Sequence, residues 1–137
     1  MPVQHSRATG WTAWVLFGGV MLVLLGTVHL YAGSIGLIRP EVLAGTRSDL
    51  LLPVSMTVLG WTHVVFGTIA IVTGVGLIRG RFWARLTAIL FAGVSSLVNF
   101  TFAPAHPIWS VVALGLAAVV AWAAAAHGDE VADAYGT

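Results

Sequence analysis

The sequence predicts an all-α protein, an integral membrane bundle of four transmembrane helices with both termini cytoplasmic. First, 58% of the 137 residues are hydrophobic and only 8% are charged, whereas roughly a quarter of a soluble domain is charged. A chain this short could not bury so much apolar surface in water. Second, the apolar residues form four segments, each near the ~20 residues that cross the hydrocarbon core. Third, the arginines are concentrated on one side of these segments, which orients them.

The four spans are predicted at about residues 11–38, 55–78, 84–103 and 108–127. The first span follows a polar segment, residues 1–10, and is too long for the ~7–15-residue core of a cleavable signal peptide. Proline cannot continue a helical hydrogen-bond ladder, so Pro40 and Pro104 are expected to end the first and third spans. The transmembrane domain therefore covers residues 11–128, and residues 129–137 form an acidic cytoplasmic tail that we expect to be solvated.

The arginines predict the orientation. Four lie on one side of the spans and two on the other: Arg7, Arg79, Arg81 and Arg85 against Arg39 and Arg47. Cytoplasmic loops carry an excess of positive charge, so this is expected to be a multi-pass protein of the plasma membrane with cytoplasmic termini. All six tryptophans fall within about two turns of a predicted helix end, as residues of an interfacial belt do.

Composition also excludes several classes of function. The net charge is only +1, whereas a nucleic-acid-binding protein typically carries an excess of basic residues. Without cysteine there is no disulfide framework and no thiolate metal site. No Asp or Glu lies within a predicted span, whereas a small four-helix antiporter needs an intramembrane acid to exchange charge.

Two stretches of the form G-x-x-H-x-x-x-G stand out, residues 26–33 and 60–67, and each lies within a long apolar segment. Residues three and four apart share a helix face, so each histidine, His29 and His63, is expected on a groove between two glycines. Such a groove lets a second helix or a flat ligand approach, and an imidazole in hydrocarbon needs a partner.

These histidines belong to a predicted polar layer. Counting ~1.5 Å per residue from the cytoplasmic end of each helix places His29, His63 and Asn99 at the same height, ~22 Å, with His106 just above them. The small-residue faces that carry the layer are where membrane helices pack. Their glycines in the first two spans are Gly19, Gly26, Gly33, Gly36, Gly60, Gly67 and Gly74.

Three interpretations of this layer compete. In the first, neutral histidines and Asn99 hydrogen-bond between helices, at about 0.6 to 2 kcal/mol per bond. In the second, His29 and His63 hold a b-type haem, or a metal together with His106, since imidazole is the right ligand type. In the third, the layer takes a quinone headgroup or a transported solute. A proton relay would need a complete chain of titratable groups, which the sequence does not contain.

Several short sequence motifs, which occur in a fixed order along the chain, are typical of one protein family. They are Gly10-Trp11, Phe17-Gly18-Gly19-Val20-Met21-Leu22, Gly60-Trp61-Thr62-His63 with Gly67, Gly80-Arg81-x-Trp83-Ala84-Arg85, Asn99-Phe100, and Pro104-Ala105-His106-Pro107-x-Trp109-Ser110. With them the chain resembles, over about residues 10–128, a family of small actinobacterial integral membrane proteins of unknown function. The resemblance implies four membrane helices and a high-GC Gram-positive host, and it carries over no activity. The family commonly has tyrosine in place of His106 and asparagine in place of His29, which leaves His63 and Asn99 as the better candidates for a shared role.

We therefore predict a non-catalytic accessory or interaction protein that packs through glycine-rich helix faces in the lipid bilayer. More than one helix carries such a face, which favours a homo-oligomer or a place in a larger membrane complex. The alternative is a haem- or quinone-binding redox protein that uses His29 and His63, and a third is a small-solute transporter.

Overall fold

The computed structural model describes residues 9–44, 55–102 and 107–135, and the elements in these ranges are all α-helices. In chain order they are α1 (Gly10–Ile38), α2 (Pro40–Ala44), α3 (Met56–Ile78), α4 (Phe82–Phe102) and α5 (Pro107–Tyr135). The all-α prediction is confirmed. Helix α1 ends at Ile38, just before Pro40, and the five-residue α2 begins at this proline, because proline suits the first position of a helix.

Three of the helices are long and apolar enough to cross a membrane: α1, α3, and the segment Ser110–Ala134 of α5. Helix α4 contributes a shorter apolar stretch, Phe82–Leu97. Large apolar side chains on these helices are exposed, with Val28, Leu90 and Val111 at 63%, 69% and 69%. A helix of a soluble protein turns such residues to its core, so the exposed surface suits hydrocarbon as its solvent.

The turn from α3 to α4 depends on Gly80, whose φ of 69° is the left-handed conformation that side chains disfavour. Its N–H donates to the carbonyl of Leu77 at 3.0 Å, and the N–H of Arg81 donates to the carbonyl of Gly76 at 2.9 Å. This pair of bonds is the Schellman motif, which satisfies carbonyls at the end of a helix. The chain therefore reverses between the two helices within a few residues.

The chain divides into two compact units. The histidine unit, residues 22–72, contains the C-terminal part of α1 and most of α3. The terminal unit comprises the residues up to 21 and those from 73 onwards, and in it α4 packs against α5. Its fully buried side chains include Val15, Leu77 and Val131. Helix α5 continues to Tyr135, so most of the segment that we expected to be an acidic tail is helical.

Candidate functional site

In the histidine unit α1 and α3 meet backbone to backbone at two pairs of glycines. A methyl group added to Gly26 would lie 2.5 Å from the carbonyl oxygen of Gly67, and one on Gly33 would lie 2.7 Å from that of Gly60. Both distances are far inside van der Waals contact, so only glycine fits. The pairing order is reversed along the two helices, which therefore run antiparallel. The two pairs are each seven residues apart on both helices, a spacing of two helical turns.

His29 and His63 face each other between these glycine contacts. Their ring centroids are 5.2 Å apart and the ring planes are inclined by 47°. Nδ1 of His63 lies 2.9 Å from the carbonyl oxygen of Leu59. A carbonyl can only accept, so Nδ1 carries a proton, and the neutral tautomer with this proton has its lone pair on Nε2. Both side chains are partly exposed.

This arrangement does not fit a haem held between the two histidines. Axial imidazoles bind iron from opposite sides, which at ~2.0 Å per iron–nitrogen bond puts their ring centroids about 6.3 Å apart. The observed centroids are closer, at 5.2 Å. A porphyrin would also have to pass between α1 and α3, where Gly26 and Gly67 already touch. Of the two occupants that the glycine groove could admit, a second helix or a flat ligand, the structure places the neighbouring helix there.

The other predicted site residues are placed as follows. The side chain of Asn99 and all of His106 lie outside the described residues. Gly36 and Gly74 are buried. In the terminal unit a methyl group on Gly19 would lie 2.7 Å from Cγ1 of Ile78 and 3.0 Å from the carbonyl oxygen of Gly74. Of the four predicted polar side chains, the structure therefore brings together His29 and His63.

A second polar cluster, in the terminal unit, was not predicted. Glu130 of α5 accepts hydrogen bonds at the start of α1, from the backbone N–H of Thr9 at 2.7 Å, from its hydroxyl at 2.7 Å, and from the hydroxyl of Thr12 at 3.1 Å. Nδ1 of His127 donates to the other carboxylate oxygen at 2.7 Å. Trp11 stacks on the His127 ring, with centroids 5.2 Å apart and planes inclined by 6°. Glu130 thus ties the end of α5 to the first turn of α1.

These contacts correct the expectation that the acidic segment after residue 127 is solvated. The side chain of Glu130 is only 16% exposed. Its carboxylate receives four hydrogen bonds, from Thr9, Thr12 and His127, and such donors favour the charged form. Asp129 forms an ion pair with Arg85 of α4. Asp129, which is 81% exposed, and Asp133, which is also exposed, keep the solvent contact that we expected.

Local sequence patterns contain only part of this cluster. Thr9 precedes the apolar run as an N-cap residue does, and Trp11 N–H donates to its hydroxyl at 3.3 Å. The partner of this cap, Glu130, lies 121 residues away, and no periodicity or motif links the two positions.

A family model described as a domain of unknown function (DUF7144) matches residues 14–129, most of the chain. The match agrees with the resemblance to an uncharacterised family. No curated protein and no solved structure matches the chain.

Proposed function

We propose that this chain, which belongs to the DUF7144 family, is a non-catalytic membrane protein with an accessory or interaction role. In this proposal its helices form a four-helix bundle in the plasma membrane of an actinobacterial host, with both termini in the cytoplasm. The imidazoles of His29 and His63 act as a polar contact between α1 and α3, and not as haem ligands.

One observation carries this proposal: the backbone contacts of Gly26 with Gly67 and of Gly33 with Gly60 flank the histidine pair. A haem inserted between these helices would need the space that the glycine contacts fill. Close glycine contacts allow dispersion between helix backbones, which replaces the hydrophobic driving force that lipid removes. A polar contact between the two imidazoles adds about 0.6 to 2 kcal/mol in this proposal.

A double-mutant cycle tests the role of the histidine pair. His29→Ala, His63→Ala and the double variant would be unfolded reversibly in mixed detergent micelles. We expect a coupling free energy of about 0.6 to 2 kcal/mol, the range for polar contacts between membrane helices. Additive effects of the two substitutions would show that the imidazoles do not stabilise the helix pair and would overturn this part of the proposal.

Two glycines support the interaction role. A methyl group on Gly93 of α4 or Gly115 of α5 would have no neighbour within 4 Å, unlike the glycines of α1 and α3 described above. Small exposed residues on membrane helices permit close approach of another helix. We therefore propose that these positions of α4 and α5 contact a second copy or another membrane protein.

Single-molecule photobleaching of labelled protein in lipid vesicles tests this association. We expect more than one copy per assembly at low protein density, and a loss of association in Gly93→Leu and Gly115→Leu. Leu90→Ala is a matched control, because it changes an exposed α4 side chain without filling a small-residue position. A wild-type monomer that also co-purifies with no partner from native membranes would contradict the proposal.

The proposed orientation has its own test. The chain contains no cysteine, so single-cysteine variants report the exposure of one position each. Glu41→Cys should react with an impermeant maleimide on intact cells, whereas Asp133→Cys should react only after the membrane is opened. The opposite labelling pattern would invert the topology.

A further inference from the structure

We propose that His29 and His63 also form a binding site for a divalent transition-metal ion, such as Zn²⁺ or Co²⁺. This inference goes beyond the proposed function, because a polar contact between helices does not require a metal. Imidazole binds such ions through a neutral ring nitrogen, and the two rings come from different helices held in contact.

The separation of the rings fits one tetrahedral ion. A metal–nitrogen bond of ~2.0–2.1 Å, with ~1.1 Å from that nitrogen to the ring centre, puts each centroid about 3.2 Å from the metal. At a tetrahedral angle of about 109°, the two centroids are then about 5.2 Å apart. The observed separation is 5.2 Å. The same distance that is too short for axial haem ligands therefore matches two ligands of a tetrahedral metal.

The hydrogen bond of His63 supports the same role. Metal-binding histidines almost always donate their other ring N–H to a carboxylate, a backbone carbonyl or water, which sets the tautomer and orients the ring. Nδ1 of His63 makes this bond to the carbonyl of Leu59 at 2.9 Å. The lone pair of Nε2 is thereby available without a change of tautomer.

The glycine contacts hold the two rings in place before a metal binds. Gly26 and Gly67 lie on one side of the pair, and Gly33 and Gly60 lie on the other, so α1 and α3 cannot shift without breaking backbone contacts. Both rings are partly exposed, which leaves metal coordination positions open for an exogenous ligand. Within the described ranges no group of three or more His, Asp or Glu is close enough to hold a metal. The proposed site therefore has two protein ligands in these ranges.

The test uses the full chain in detergent micelles without a histidine tag, and adds Co²⁺. We expect the visible absorption bands of tetrahedral Co²⁺, and their displacement by Zn²⁺ but not by Mg²⁺, which prefers oxygen ligands. His29→Ala and His63→Ala should each weaken binding by more than about 100-fold, beyond the loss known for second-shell changes.

Two further variants separate metal binding from packing. His29→Asn and His63→Asn retain hydrogen-bonding side chains, so they should keep the metal-free stability and lose the Co²⁺ bands. His127→Asn, in the terminal unit, is the matched control and should bind Co²⁺ as the wild type does. Absent bands in the wild type, or unchanged bands in both His→Asn variants, would overturn the metal site. Neither result would bear on the coupling measured between His29 and His63 without metal.

Discussion

Replacing Gly67 by alanine should destabilise the protein, although alanine is the better helix former. The added methyl group would lie 2.6 Å from the carbonyl oxygen of Gly26 and 2.8 Å from the backbone nitrogen of Leu30. Both atoms belong to the backbone of α1, so no change of rotamer can relieve the overlap. The two helices must separate locally.

The size of the effect follows from these distances. Ordinary contact begins near 3.4 Å, so α1 must withdraw by about 0.8 Å, the difference between 3.4 and 2.6 Å. Forcing one extra carbon into a packed site costs about 1–3 kcal/mol. Alanine returns up to about 1 kcal/mol through its higher helix propensity. In micelles that hold one copy each, Gly93→Ala should change stability only through the higher helix propensity of alanine, because no atom of the same chain lies within 4 Å of its added carbon.

The comparison of these two variants is the measurement. Unfolding in mixed detergent micelles, followed by circular dichroism, should show Gly67→Ala to be less stable than Gly93→Ala by about 1–3 kcal/mol. Equal stabilities would mean that α1 and α3 do not touch at this glycine. That result would refute the backbone contact on which the assignment of the histidine pair depends.

Three further outcomes are expected. Glu130 accepts three hydrogen bonds from Thr9 and Thr12, so Glu130→Ala should unfold at a lower temperature than the wild type, because these donors lose a charged acceptor. Thermal unfolding in micelles measures this, and Asp133→Ala, which changes an exposed carboxylate of the same helix, is the control. Gly80→Ala should cost about 1–2 kcal/mol for its left-handed backbone and more for a methyl group 2.6 Å from the Ala132 nitrogen, measured by the same micelle titration. Haem added to the purified protein should give no bis-histidine absorption spectrum, whereas such a spectrum lost in His29→Ala or His63→Ala would refute the geometric argument against haem.

The histidine pair shows what the helical periodicity of the sequence can predict and what it cannot. Three- and four-residue spacing placed His29 and His63 on glycine faces, because side-chain direction within one helix is a local property. It also left open whether each face meets a helix or a ligand. The structure decided this through the register of α1 against α3, which pairs Gly26 with Gly67 and so brings the rings to 5.2 Å. The register of two helices depends on contacts between segments that are distant in sequence, so it cannot be predicted from the sequence of one helix.

The sequence by itself determined the helical class, the suitability of long segments for a membrane, and the faces on which glycine and histidine lie. Composition and periodicity are sufficient to predict these properties. The properties depend on the free energy of transferring side chains to lipid and on the geometry of a single helix. Only the tertiary structure decided that Glu130 caps α1 from 121 residues away, and that glycine contacts surround the two imidazoles. Both features arise where segments that are distant in sequence come into contact. The free energy of such a contact depends on which residues meet, and the sequence of either segment alone does not specify this.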